Sequence, residues 1–227
     1  MSDRFIISIV IPMLNEGDQI VSCLAQFTAS PGCEVIVSDG GSSDVSCELA
    51  QSFLHVRTLA GTAGRAGQLN RGAEASGGEI LWFLHADSRV PPAAAESILK
   101  ALSNPGVVGG AFRFALDSNR FCFRLIEFFT RLRSEVFGLS YGDQGFFVRR
   151  TVFRELGGFP EVPILEDVYF WRKLRRCGKT VIIKDALVTS ARRWETQGVL
   201  RTIYTHIKIT LFDALGVPAE KLAKLRG

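Results

Sequence analysis

The sequence predicts an α/β fold, a doubly wound and mostly parallel central sheet with helices on both faces. Three observations carry that expectation. Strand-like runs alternate with segments of helical periodicity through the first half of the 227-residue chain, the pattern of repeated βα units. The run Ile80-Leu81-Trp82-Phe83-Leu84 has no polar alternation and so suits a strand buried on both faces. Three such runs lead into loops bearing Asn15-Glu16, Asp39 and Asp87, which places acidic groups along the carboxyl rim where open α/β sheets bind ligands.

Taken in order, Phe5 to Pro12 is a β-branched run ended by proline, hence a buried first strand. Met13 to Gly17 is a loop, and Ile20, Leu24 and Phe27 mark a helix. Cys33 to Ser38 is a second strand that delivers Asp39 into Gly40-Gly41-Ser42-Ser43-Asp44, where Ser42 or Ser43 can cap the next helix. Val56 to Leu59 is a short third strand. The glycines around Arg65 then make a loop able to fold backbone N–H groups and a guanidinium about a diphosphate. Its spacing is neither Walker A nor G-x-G-x-x-G, so ATPase and dehydrogenase chemistry lose their main support. The fourth strand runs into His85-Ala86-Asp87-Ser88. Asp87 suits a hard cation such as Mg²⁺ or Mn²⁺, or else a strand-end cap for the helix after Pro91-Pro92.

Composition bounds the function. A hydrophobic content of 47% supports a substantial core, in one large domain or two fused halves. The five cysteines are scattered and odd in number with no C-x-x-C pair, which predicts reduced thiols in a cytoplasmic setting and no metal-thiolate site. The amino terminus lacks signal-peptide architecture, and no charge-free apolar stretch approaches transmembrane length. The net charge of +4 hides an asymmetry: residues 1–110 hold 6 Lys or Arg against 11 Asp or Glu, and residues 111–227 hold 21 against 12. The halves are expected to face different partners. No zinc-finger, RRM or homeodomain pattern is present, so nucleic acid is not the expected partner of the basic half.

The ordered segments Ile11-Pro12-Met13-Leu14-Asn15-Glu16, Val37-Ser38-Asp39-Gly40-Gly41-Ser42-Ser43-Asp44, Gly64 to Gly72 and Leu84-His85-Ala86-Asp87-Ser88 closely resemble glycosyltransferase family 2. More narrowly they look like a bacterial subgroup labelled selenodomain-associated or radical-SAM-associated transferases. The resemblance implies a GT-A fold, Rossmann-like, and a nucleotide-diphosphate sugar donor. It implies that Pro12, Asn15, Glu16 and Asp39 contact base and ribose, Arg65 the diphosphate, and Asp87 a divalent Mg²⁺ or Mn²⁺. Where many members carry Asp-x-Asp, this chain reads His85-Ala86-Asp87, so the first acidic residue of the metal motif is missing.

Val107 to Leu116 reads as a fifth strand. Phe121, Leu125, Phe128, Phe129, Leu132 and Val136 then recur at helical spacing among arginines, which suits either a membrane surface or a core helix with solvated arginines. Ser140 to Arg150 resembles the family segment lining the acceptor cleft; Gly142 and Gly145 let backbone approach a ligand, and Asp143 and Gln144 either orient the transferred sugar or satisfy a turn. Glu166-Asp167 opens an apolar-periodic helix, a position the helix dipole favours without any function. The family resemblance implies that Asp167 is the general base and that Glu166 orients the acceptor. Val181 to Ile183 and Leu187 to Thr189 read as short strands. Ser190 to Trp194 loosely resembles the Gln-x-x-Arg-Trp motif of processive members without its Gln, so Arg193 and Trp194 are expected at diphosphate and acceptor. Val199 to Leu215 is an amphipathic helix carrying His206, which is either a late metal ligand or structural.

The expectation is therefore a single GT-A domain, residues 1–115 for the donor and 116–227 for the acceptor, transferring a hexose from a UDP- or GDP-sugar with inversion. An anionic or lipid-linked acceptor, a peripheral contact at the inner face of the membrane and a homodimer are all compatible with the basic, aromatic second half. Two rivals stand beside this reading. A nucleotidyltransferase would need a Gly- and Lys/Arg-rich loop where Met13 to Glu16 stand. A non-catalytic nucleotide-sugar-binding module would keep Asp39 without needing Asp167.

Overall fold

The computed structural model describes residues 6–28, 30 and 32–225, with the Arg193 side chain outside them. The strands and helices follow in the order β1 (Ile7–Met13), α1 (Gly17–Leu24), β2 (Cys33–Asp39), α2 (Ser46–Gln51), β3 (Val56–Leu59), α3 (Arg65–Ala75), β4 (Ile80–Phe83) and α4 (Ala94–Leu102). The second half runs β5 (Val107–Leu116), α5 (Phe121–Glu135), β6 (Phe147–Arg149), α6 (Arg150–Glu155), α7 (Glu166–Cys177), β7 (Lys179–Thr189), α8 (Arg192–Gln197), α9 (Val199–Ala214) and α10 (Ala219–Ala223). The seven strands form one sheet in the order β3-β2-β1-β4-β6-β5-β7. β6 is antiparallel to both neighbours and every other pair is parallel.

The absence of polar alternation in β1 and β4 follows from burial on both sides. Ile7, Ile9, Ile11, Trp82 and Leu84 pack on one face of the sheet with Ile20 and Leu24 of α1 and Ile98 of α4. Val10, Leu81 and Phe83, one residue out of phase, pack on the other with Leu69 and Ala73 of α3 and Trp171 of α7. Period-two alternation therefore divides one apolar strand between two cores. α3 reaches β1 closely because Gly72 has no side chain: a Cβ there would run into Val10.

Several sequence expectations are corrected. β1 does not stop at Pro12 but continues to Met13; β4 pairs with β1 only as far as Val10, so the proline lies where that flank is already free. Phe5, the expected start of this strand, lies outside the described residues. Arg65 is not in a glycine loop but opens α3, with Gly67 and Gly72 inside the helix. The two expected short strands are one strand, β7, irregular where the pairing steps from Phe112–Ile183 to Arg113–Ala186; the polar Lys184-Asp185 fills that irregularity. β6 was not foreseen, its three residues being too few for periodicity to register. Neither Ser42 nor Ser43 caps α2, whose N-cap Val45 makes no side-chain cap bond, and Asp87 does not cap α4, whose N-cap is Ala93. Among the described residues no helix is long and apolar enough to cross a membrane.

Candidate active site

The parallel strands β1, β2 and β4 end at one rim, and a cleft of about 710 Å³ opens there against α7, α8 and α9. Of the residues singled out from sequence, Pro12, Glu16, Arg65, Asp87, Asp143, Glu166, Asp167, Trp194 and His206 line it. Asn15, Asp39 and Gln144 do not, and the Arg193 side chain lies outside the described residues.

The residues that miss the cleft hold its floor. Asp39 is buried at 4% exposure, and its carboxylate accepts from the N–H groups of Gly41 at 3.0 Å and Ser42 at 3.1 Å and from the Ser42 hydroxyl at 2.6 Å. Asn15, in the left-handed region at φ 54°, donates its N–H to Ser42 Oγ at 2.9 Å and accepts the Ser43 N–H at 2.9 Å. Ser46 Oγ accepts the Glu16 N–H at 2.7 Å. The two loops are thereby laced into one ledge that presents Glu16. Removing the Asp39 carboxylate orphans those donors, so Asp39→Ala is expected to cost about 1–3 kcal/mol of stability, read as a lower thermal midpoint, and to weaken nucleotide binding in calorimetry. Unchanged values in both measurements would remove Asp39 from the ledge.

Gln144 is fully buried, donating to the Phe112 carbonyl at 3.1 Å and accepting the Tyr141 N–H at 3.2 Å. It fixes the turn over residues 141–145. That turn brings Gly142 against the start of α7: its N–H donates to Asp167 Oδ2 at 2.7 Å, and a Cβ on Gly142 would lie 3.1 Å from the same oxygen. Asp167 Oδ1 accepts the Val168 N–H at 2.8 Å. Leu165 enters α7 at φ 66°, a costly conformation for a branched side chain, and thereby aims Glu166 and Asp167 into the cleft. The Arg65 Nε lies 3.3 Å from Glu166 Oε1, so the expected diphosphate ligand and the expected acceptor ligand are an ion pair bridging the two sides of the cleft.

Electrostatically the cleft is crowded with carboxylates. Burial raises the Asp87 carboxyl against a hydrogen bond at 3.2 Å from Thr189 and the charge of Arg65. Burial and then Asp87 raise Glu16, against Arg192 at 3.2 Å. Asp143 is pushed up to about 6 from 3.8, chiefly by burial and then by Asp167 and Asp87, with Arg133 and Arg65 opposing. Its Oδ1 has no hydrogen-bond partner among the described residues. Between 3.8 and about 6 the folded chain holds a proton that the unfolded chain has released. The stabilising contribution of Asp143 is thus full below the lower value and lost as pH rises through the upper one. Asp143→Asn is expected to flatten the fall of thermal midpoint across that window; an unaltered profile would contradict it.

Among the described residues no cluster of three His, Cys, Asp or Glu side chains forms a metal cage. A single strand-end carboxylate facing a cleft does match the way Mg²⁺ is shared between one protein oxygen ligand and substrate phosphates, so Asp87 fits a cation that arrives with the donor. His206 lines the same cleft with its ring 5.3 Å from that of Trp194, edge-on.

Residues 8–157 match the family described as Glycosyl transferase family 2. The chain belongs to that family. The chain is 28% identical over 183 residues to Glycosyltransferase AglE of Haloferax volcanii, covering 74% of this chain and 60% of that protein. It is 30% identical over 198 residues to the uncharacterized protein MT1568 of Mycobacterium tuberculosis, covering 74% and 61%. The chain therefore spans less than two thirds of either relative. Among solved structures, the mannosyltransferase PcManGT from Pyrobaculum calidifontis in complex with GDP-Man and Mn²⁺ superposes with a TM-score of 0.68 at 20% identity, over 82% of this chain and 57% of that one. S. aureus TarS 1-349 in complex with UDP-GlcNAc gives 0.67 at 16% identity, over 82% and 58%. The fold is thus GT-A. Sequence reasoning did not single out Gln68, Tyr141, Leu165, Thr189 and Arg192 as cleft residues. Arg192, Gln68 and Tyr141 stand inside segments the sequence had marked, Ser190 to Trp194, Gly64 to Gly72 and Ser140 to Arg150; Leu165 and Thr189 are single residues without a motif.

Proposed function

We propose that this transferase moves a hexose from a UDP- or GDP-sugar to an acceptor hydroxyl or phosphate, with inversion at the anomeric carbon. The observation that carries the reading is Asp167, held by the Gly142 and Val168 N–H groups in a cleft that Glu16 and Asp87 also line. Each Asp167 oxygen retains a lone pair, so the carboxylate can take a proton from an acceptor hydroxyl as that oxygen attacks the sugar on the face opposite the leaving diphosphate. The complexes of PcManGT with GDP-Man and TarS with UDP-GlcNAc support this donor class.

Within that scheme residues 1–115 seat the donor and 116–227 the acceptor. Pro12 and Glu16 meet base and ribose on the ledge that Asn15 and Asp39 brace. Arg65 and Arg192, with Arg193 nearby in the chain, face the diphosphate; Glu166 holds Arg65 in place, and Asp143 and Trp194 meet the sugars. Asp87 would hold a Mg²⁺ or Mn²⁺ ion, which would supply charge neutralisation at the leaving group. The PcManGT complex with Mn²⁺ supports this cofactor class. The free cysteines accord with a cytoplasmic setting, and the likeness to the selenodomain- or radical-SAM-associated subgroup leaves the acceptor open. Release of nucleoside diphosphate from a panel of UDP- and GDP-sugars tests the reading. One donor turned over is the expected result, whereas binding without release would make the chain a sugar-nucleotide-binding module, and pyrophosphate released from a nucleoside triphosphate supplied together with a sugar 1-phosphate would make it a nucleotidyltransferase.

A further inference from the structure

Two helices carry apolar faces that the fold leaves uncovered. On α5, Phe123 and Ile126 enter a small core, while Phe121, Leu125, Phe128, Phe129 and Leu132 stay outside it, Phe128 at 60% and Phe129 at 59% exposure. The stripe recognised in the sequence is therefore not the buried face of α5, and the core-helix alternative does not hold for it. α9 meets the same small core through Val199 and Ile203. Its Thr202, His206, Ile209 and Thr210 line the cleft, whereas Leu200, Tyr204, Ile207, Leu211 and Leu215 are exposed, Ile207 at 62%. At 3.6 residues per turn those two sets lie on opposite faces of α9. One helix is thus both a wall of the cleft and an uncovered apolar surface.

Charge selects the occupant. Arg120, Arg124 and Arg131 run with the α5 stripe, each paired with a carboxylate, Glu195 at 4.0 Å, Glu127 at 2.8 Å and Glu135 at 3.1 Å, whereas Arg201 and Lys208 flank the α9 stripe with no carboxylate partner among the described residues. No Asp or Glu occurs from Val199 to Phe212. A second copy meeting this one through α9 would set Arg201 and Lys208 against their own counterparts with no acidic residue on the helix stripe to offset them, while an anionic bilayer accepts the apolar stripe and neutralises those two cations. We propose that the α5–α9 face docks onto an anionic bilayer and, resting on the glycosyl-transfer reading, that α9 thereby brings the cleft to an acceptor anchored in that bilayer.

Co-sedimentation with vesicles of phosphatidylcholine alone, and of phosphatidylcholine mixed with phosphatidylglycerol, tests this across a salt series. The expected result is binding to the anionic vesicles only, weakened by salt. Phe128→Glu and Ile207→Glu, both remote from the cleft, are each expected to lower partitioning about tenfold or more while leaving nucleoside diphosphate release from a soluble donor unchanged. Should a glutamate variant fail to fold, Lys208→Ala with Arg201→Ala reads the electrostatic part alone. Absence of binding at low salt overturns the proposal, and a stable dimer split by Ile207→Glu would give the face to a second copy. Binding indifferent to all of these replacements would also overturn it. Loss of donor turnover with vesicle binding intact would instead overturn the transfer reading and leave the docking face standing.

Discussion

Asp167→Asn is expected to lower kcat by about 10²–10⁴-fold while leaving donor affinity within a few-fold. The substitution keeps the shape of the side chain, and its carbonyl oxygen can still accept one of the two N–H groups, from Gly142 or Val168, that hold the carboxylate. What it removes is the negative charge able to receive the acceptor proton. Because Asp167 stands on α7 and the donor ledge is built by the β1 and β2 loops, the loss should fall on turnover and not on donor binding. Single-turnover rates and donor calorimetry on the same preparation separate the two. A variant that turns over like the parent enzyme would sink the assignment and shift attention to Asp143, the other cleft carboxylate beside Gly142.

Treatment with EDTA is expected to stop turnover, and Asp87→Ala to abolish its recovery on adding Mg²⁺ or Mn²⁺, a loss of about a hundredfold or more. The diphosphate leaving group develops negative charge in a cleft that already holds Glu16, Asp143, Glu166 and Asp167. Arg65 is partly neutralised by Glu166, and Arg192 by Glu16 and by Asp18 at 3.6 Å, so the protein cations alone are poorly placed to offset it. Titration of nucleoside diphosphate into the enzyme with and without Mn²⁺ gives a reading that does not depend on chemistry: the ion should tighten binding to the parent and not to the Ala variant. Normal activity after chelation would mean that His85, standing where many family members carry an acidic residue, marks a metal-independent transferase.

Much of the fold was legible because burial on two faces writes itself into local composition. β1 and β4 are continuous apolar runs, and the helices that cover them repeat at helical spacing. The site was legible where motif residues also face the cleft, as with Glu16, Arg65, Asp87 and Asp167. Residue type alone did not tell whether a polar motif residue lines the cleft or braces the scaffold beside it. Asp39 and Gln144 are buried and bonded to backbone, a distinction that depends on the direction of a side chain and not on its type. The amphipathic stripe of α5 was left open between two readings, because periodicity identified a coherent face but did not say whether protein covers it.

By itself the sequence determined the α/β class, the helix that begins at Glu166, and the family, since each depends on residues close together in the chain or on short motifs in fixed order. Only the tertiary structure decided that β6 inserts antiparallel between β4 and β5, that Glu166 pairs with Arg65, and that Arg192 reaches Glu16 across a separation of 176 residues. It also decided that α9 turns one face to the cleft and leaves an apolar face open. The physical reason is common to all four. Hydrogen bonds, ion pairs and coverage between distant segments depend on which surfaces the sheet order brings together, and no local pattern of residue types encodes that order.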